Sequence, residues 1–176
     1  MEQVILVDEN DNELGVMEKM EAHRKGVLHR AFSVCLFNDK GEILLQQRAK
    51  DKYHSAGLWS NTCCSHPRPE EDILEAASRR LIEEMGVTVN SPLSLAYTFI
   101  YKTQLDNSMI EHELDYVIVG EFSGDPVPNS SEICSWKYVN MEQLKLDIKN
   151  NTDLYTYWFK MIVESKEFQD LNLKLY

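Results

Sequence analysis

The distribution of apolar and polar positions predicts most of the secondary structure. Residues 4–8 form a short apolar run, a turn follows at Asn10-Asp11-Asn12, and a second strand is expected through Val16. Residues 18–25 are polar and read as a short helix with Lys19 and His23 on neighbouring turns. Residues 29–37, H-R-A-F-S-V-C-L-F, are almost continuously apolar and rich in strand formers, as a central strand should be. A turn at 38–41 should return 42–47 as its hairpin partner, and 48–60 reads as loop. A helix is expected from Glu70, with Ile73, Ala77, Leu81 and Met85 as its buried stripe and Gly86 as its stop.

Further along, Leu95, Tyr97, Phe99 and Tyr101 alternate with shorter residues and mark a strand. After a turn at 106–108, residues 110–121 form another, with Glu111, Glu113 and Asp115 on one face and Ile110, His112, Leu114 and Tyr116 on the other. A Pro/Ser-rich loop covers 124–131 and a last short strand covers 133–139. Asn140 to Gln143 looks like a capping box opening a helix to about Lys149. Asn151 or Thr152 should cap a final helix with Leu154, Trp158, Met161 and Ile162 as its apolar stripe. Together these elements predict one α/β (α+β) domain over residues 1–176, a sandwich of mixed β-sheet with flanking helices.

Composition narrows the chemistry. With 43% hydrophobic and 27% charged residues, the chain can bury a core and keep an ordinary globular surface. A net charge of −11 disfavours non-specific binding to nucleic acid or anionic membrane, so neither partner is expected. Any anionic substrate would need a local basic cluster or metal ions. Neither a signal peptide nor a transmembrane span is read at the N-terminus. The four cysteines, 35, 63, 64 and 134, have no disulfide-scaffold spacing, which suits a reducing cytoplasm.

The densest chemistry lies in residues 61–87, N-T-C-C-S-H-P-R-P-E-E-D-I-L-E-A-A-S-R-R-L-I-E-E-M-G-V. Adjacent cysteines and a histidine can serve as nucleophile, base or ligand. Glu83 and Glu84 end a helix, where the dipole disfavours anions, and Arg79 and Arg80 stand four residues before them to offset that. An acidic helix end beside a Cys-x-His turn suggests a bound cation. Ser65, Glu71, Arg79, Arg80, Leu81, Glu83, Glu84, Gly86 and Val87 fall at the spacing of a Nudix box, which the stretch resembles with two departures. Ser65 stands where that pattern has Gly, and Arg80 where it has Glu. Losing that acid removes a ligand that a diphosphate hydrolase of this type uses, which argues against hydrolysis.

Glu111 and Glu113 project from one strand face with Cα atoms about 6.6–6.8 Å apart, so both carboxylates can reach one ion. Placing two anions on one face costs energy unless a cation or proton lies between them. His23, His29 and His66 are the candidate partners. Three imidazoles and two carboxylates suit a divalent ion in octahedral geometry, Mn²⁺ or Mg²⁺, with Zn²⁺ as a further option. His54 and His112 are assigned no ligand role.

Five ordered segments make a closer match: 29–38 (H-R-A-F-S-V-C-L-F-N), 59–68 (W-S-N-T-C-C-S-H-P-R), 101–103 (Y-K-T), 110–116 (I-E-H-E-L-D-Y) and 158–160 (W-F-K). They resemble the metal-dependent, Nudix-fold type of isopentenyl-diphosphate delta-isomerase across nearly the whole chain. The resemblance implies interconversion of isopentenyl and dimethylallyl diphosphate, an early step of isoprenoid synthesis, by a short chain expected to be monomeric. It implies Cys64, rather than Cys63, as the catalytic thiol, Glu113 as the catalytic carboxyl, and Tyr101 as its assistant. It also implies His23, His29, His66, Glu111 and Glu113 around one ion, and Glu84 serving Mg²⁺ held with the substrate diphosphate. Lys19, Arg48, Lys52 and Arg80 match its diphosphate-contacting positions. Trp158 matches its aromatic cover over a carbocation, with packing in the core as the alternative use of that ring. Two other readings compete: a Nudix hydrolase acting on nucleoside diphosphate derivatives, and a non-enzymatic metal-binding module.

Overall fold

A computed structural model describes residues 2–172. Its centre is β3 (His29–Phe37), buried at every position except Arg30, which is half-buried. Long apolar runs of this kind are what a strand covered on both faces requires. β3 runs parallel to β8 (Ile110–Glu121) over nine residue pairs, His29↔Glu113 through Phe37↔Glu121. β7 (Ser94–Gln104) pairs antiparallel with the far side of β8. On the other flank the hairpin of β1 (Gln3–Val7) and β2 (Glu13–Glu18) meets β3 at Leu6↔His29. β4 (Ile43–Arg48) pairs with β5 (Trp59–Ser60) and β9 (Ile133–Val139), and β6 (Cys63–Ser65) lies on β3.

The mixed sheet is filled on both faces. Alternation in β3, β4 and β8 sends Cys35, Phe37, Ile43, Leu45 and Val117 to one side, where they meet Leu144, Trp158, Phe159 and Ile162. These last come from α3 (Met141–Asn150) and α4 (Tyr157–Glu164), which α5 (Lys166–Asn172) follows. Phe32, Val34, Leu36, Leu44 and Ile118 point the opposite way, onto Ala76, Ala77, Leu81 and Met85. This second layer is α2 (Ile73–Arg80), which continues as a π-helical turn through Leu81–Met85. Gly86 ends it at φ 63°. The remaining helix, α1 (Lys19–Lys25), is capped by the Glu18 carboxylate and ends at Gly26.

Several sequence expectations change. The helix of the Nudix-like stretch begins at Ile73, because Asp72 caps it by accepting from the N–H groups of Leu74 and Glu75. Glu71 instead turns back to the Arg68 N–H and to Arg79. The expected β3–β4 hairpin is reduced to the pair Phe37↔Ile43, since β8 and β6 occupy the flanks of β3. Trp59 and Ser60, read as loop, form β5. Leu95 falls out of phase with Tyr97, Phe99 and Tyr101 because the β7–β8 register shifts between Leu95 and Tyr97, and it is 48% exposed. Leu154 is exposed in a short 3₁₀ turn, so the helix expected to be the last is α4, which starts only after Thr156, buries Trp158, Phe159, Ile162 and Val163, and is followed by α5.

Candidate active site

β8 supplies the acids. Its period-two pleat brings Glu111, Glu113 and Asp115 to one buried face, each less than a tenth exposed. Three neighbouring elements bring imidazoles to the same place: His23 from α1, His29 from the start of β3 and His66 just after β6. Ligand atoms of His23, His29, His66 and Glu113 all lie within 4.8 Å of one another. Octahedral bonds near 2.1 Å would put neighbouring ligands about 3 Å apart and opposite ones about 4.2 Å apart.

Ring orientation is set by the backbone. Nδ1 of His23 lies 2.7 Å from the Lys19 carbonyl, and Nδ1 of His29 lies 2.8 Å from the Val27 carbonyl. A carbonyl only accepts, so both Nδ1 atoms carry the proton and both Nε2 atoms present a lone pair inward. Among the described residues neither Nε2 atom has a hydrogen-bond partner, nor does Glu111 Oε2, and all three are buried. His23 Nε2 is 3.2 Å from Glu111 Oε2, His29 Nε2 is 3.6 Å from Glu113 Oε1, and His66 Nε2 is 3.0 Å from that same oxygen. Buried lone pairs converging with carboxylate oxygens fit a divalent cation well. Burial lowers the His66 imidazole to about 4, which keeps it in the neutral form a metal ligand needs.

The catalytic candidates surround this cluster. Burial works to raise the Glu113 carboxyl, but the His29 and His66 rings outweigh it and hold that carboxyl well below the usual range. Its other oxygen, Oε2, accepts from the Tyr101 hydroxyl at 2.6 Å. Burial and the adjoining carboxylates hold the Tyr101 phenol well above its ordinary value, so it remains a donor. Cys64 and Cys63 are consecutive on β6 and face opposite ways. Cys63 is fully buried against the α2 layer. Cys64 keeps partial exposure at the wall of the cleft that Glu113, Tyr101 and Trp158 also line. Burial, opposed by Arg48 and aided by Glu84, Glu113 and Asp115, pushes the Cys64 thiol up to about 12.

The cleft is narrow, with a cavity of about 50 Å³. Lys19, Arg48, Lys52 and Arg80 all line it, although they come from α1, the end of β4, the following loop and the end of α2. Each has an interim partner: Lys19 Nζ meets Glu2 at 3.1 Å, Lys52 meets Glu132, and Arg80 meets Glu83 and Glu84. Arg48 donates to the His54 carbonyl at 3.2 Å and lies 5.5 Å from the Trp158 ring, while its Nε has no partner. Glu84 lines the cleft but stands outside the imidazole groups, as a separate cation position would require. Trp158 packs in the α4 core layer and also lines the cleft, its ring fixed by Nε1–H donation to Asn61 Oδ1 at 3.2 Å.

The structure adds two residues to the site. His54, given no ligand role from sequence, is buried with Nε2 3.1 Å from Glu111 Oε1 and joins His23 and Glu111 in a second potential ligand group. Asp115 accepts from Ser33 Oγ at 2.7 Å, and burial beside Glu113 raises its carboxyl well above the usual range. Its position was legible from strand parity. That of His54 was not, because loop closure sets it. His112, on the opposite face of β8, contacts the Gly26 carbonyl at 3.0 Å and stays outside the cluster.

Comparisons with known proteins bear on the family and the fold. The NUDIX domain model matches residues 27–159. Isopentenyl-diphosphate Delta-isomerase 1 of Aromatoleum aromaticum is 50% identical over 163 residues, which cover 93% of this chain and 91% of that protein. The isopentenyl-diphosphate Delta-isomerase of Pectobacterium atrosepticum is 50% identical over 159 residues, 90% and 88% of the two chains. A crystal structure of a Deinococcus radiodurans protein superposes with a TM-score of 0.72 at 18% identity, covering 99% of both chains, a likeness in fold alone. Half-identity carried across nine-tenths of the length, on a Nudix scaffold, shows that the chain belongs to the isopentenyl-diphosphate delta-isomerase family.

Proposed function

We propose that this isomerase interconverts isopentenyl and dimethylallyl diphosphate with Cys64 and Glu113 as its proton-exchanging pair. The observation that carries this reading is that the partly exposed thiol and the Tyr101-bonded carboxyl line one cleft, whose other walls carry four basic side chains. One group adds a proton to the terminal methylene carbon, which leaves a tertiary cation at the branched carbon. The other removes a proton from the adjacent carbon, and the electrons of that C–H bond become the new double bond. Reversing the reaction exchanges the two roles.

Tyr101 keeps Glu113 oriented through its 2.6 Å hydrogen bond. The Trp158 face is available to the cation, an interaction worth about 2 kcal/mol when desolvated. Burial of Tyr101, Trp158 and Glu113 keeps water from the reacting carbons, where it would trap the cation. Lys19, Arg48, Lys52 and Arg80 hold the diphosphate, exchanging their carboxylate partners for phosphate oxygens.

The structure and family support divalent-metal binding. His23, His29, His66, Glu111 and Glu113 would hold one ion, Mn²⁺ or Mg²⁺, with Zn²⁺ a further option for an imidazole-rich set. Glu84 would hold Mg²⁺ together with the substrate diphosphate. Such ions supply positive charge that screens the clustered carboxylates and the diphosphate. Every residue invoked comes from one chain, so a monomer suffices. Free cysteines suit a cytoplasmic setting, and among the described residues no helix is long and apolar enough to cross a membrane.

Incubation with isopentenyl diphosphate and Mg²⁺, followed by NMR, tests the assignment. Cys64→Ala and Glu113→Gln should each lose roughly 10²–10⁴-fold in kcat, the usual contribution of a general acid or base, while Cys63→Ala keeps most activity. Equal losses at both cysteines would remove Cys64 from its role. Release of inorganic phosphate or pyrophosphate in place of the isomer would favour hydrolysis instead.

A further inference from the structure

We infer that His54 is a positioning residue for Glu111: it holds one carboxylate oxygen as a hydrogen-bond donor and leaves the other aimed at the cation. The inference rests on reading this cleft as a divalent-metal site. The two oxygens of Glu111 have unlike surroundings. Oε1 lies 3.1 Å from His54 Nε2, whereas Oε2 is buried without a hydrogen-bond partner among the described residues, 3.2 Å from His23 Nε2. Because His23 Nδ1–H is committed to the Lys19 carbonyl, its Nε2 is an acceptor. Oε2 and His23 Nε2 therefore oppose two lone pairs, an arrangement that calls for a positive ion. Oε1 calls for a proton donor, and the His54 imidazole supplies one from Nε2 when its Nδ1, 3.2 Å from Ser55 Oγ, accepts the hydroxyl proton.

His54 could instead be a ligand, since its Nε2 lies within 4.8 Å of ligand atoms from His23 and Glu111. Two facts favour the donor role. The Arg48 guanidinium is held on the His54 backbone by its 3.2 Å hydrogen bond, so a dication between His23, His54 and Glu111 would lie near a fixed positive charge. His54 also shares no ligand group with His29, His66 or Glu113, which with His23 make the larger set. Its ring is wedged edge-on against Tyr53 at 4.4 Å and Trp158 at 6.0 Å. Those contacts fix its direction and join the carboxylate to the aromatic wall of the cleft.

Mn²⁺ titration of the purified full-length protein, read by competition with a chromophoric chelator, tests this without catalysis. His54→Phe keeps the aromatic packing but loses the donor, and His54→Gln keeps an N–H near the position of Nε2. His54→Phe should weaken Mn²⁺ about 10–100-fold, and His54→Gln should stay within about 3-fold of wild type, the scale expected for an outer hydrogen bond to a ligand. Thermal melts of the apo-proteins establish that both variants fold. Wild-type affinity in His54→Phe would overturn the assignment, as would a Gln variant that loses as much as the Phe variant. A wild-type protein that fails to bind Mn²⁺ would instead remove the metal reading itself.

Discussion

Cys63 and Cys64 are chemically identical neighbours that the β6 pleat sends to opposite sides of the sheet. Cys63 packs with Ala76, Ala77 and Leu81, and Cys64 faces Glu113 and Arg48 across the cleft. Resemblance selected Cys64 in the sequence; strand parity is what turns that thiol, and not Cys63, toward the cleft. Because burial raises the Cys64 thiol to about 12, its thiolate fraction at neutral pH is smaller than that of an ordinary cysteine and grows with pH. Alkylation of Cys64 by iodoacetamide in the metal-free protein, followed by peptide mass spectrometry, should accelerate about tenfold per pH unit from 7 to 10. A free cysteine in an unstructured peptide should level off near pH 9. A plateau at that pH for Cys64 as well would mean the thiol is not held protonated. His54 marks the opposite limit of legibility. Nothing in the 48–60 spacing announces a carboxylate partner 57 positions away, because that contact exists only after the loop closes over β8.

The element that carries the acids of the Nudix-like stretch is α2 with its π-helical extension, and its exit is tightly constrained. Gly86 has φ 63°, and a Cβ there would lie 2.3 Å from the Val127 carbonyl oxygen. Next to it the Asn129 N–H donates to the Glu84 carbonyl at 2.8 Å, so the two backbones cannot easily separate. Gly57, at φ 74°, has open space among the described residues where a Cβ would stand. Gly86→Ala should therefore lower Tm by about 4–8 °C, from roughly 2 kcal/mol of lost stability, and Gly57→Ala by clearly less. Equal shifts in thermal melts would show that the contact with Val127 is unimportant. The apolar stripe of this helix and its glycine stop were legible because both depend on local periodicity. The π turn, the start at Ile73 and the phase slip at Leu95 were not. Each depends on hydrogen-bond register or capping that the side-chain pattern does not encode.

Across the whole molecule, a chain of net charge −11 gathers Lys19, Arg48, Lys52 and Arg80 around one cleft. Their separation in sequence hides that gathering from any local pattern, and only the parallel β3–β8 pairing explains how His29 comes level with Glu113. The architecture was otherwise readable, since the alternating strands 110–121 and 133–139 appear at the expected bounds. The topology was less so, because sheet order depends on long-range pairing. The central claim is that this fold sets a thiol and a carboxyl against one hydrocarbon, each moving a proton. Turnover of isopentenyl diphosphate in D₂O, read by ¹H and ²H NMR, tests it most directly. Solvent deuterium should enter a methyl group of the dimethylallyl product with wild type, and both product and exchange should fall roughly 10²–10⁴-fold with Cys64→Ala or Glu113→Gln. Product formed without deuterium, or wild-type turnover by Glu113→Gln, would contradict the account.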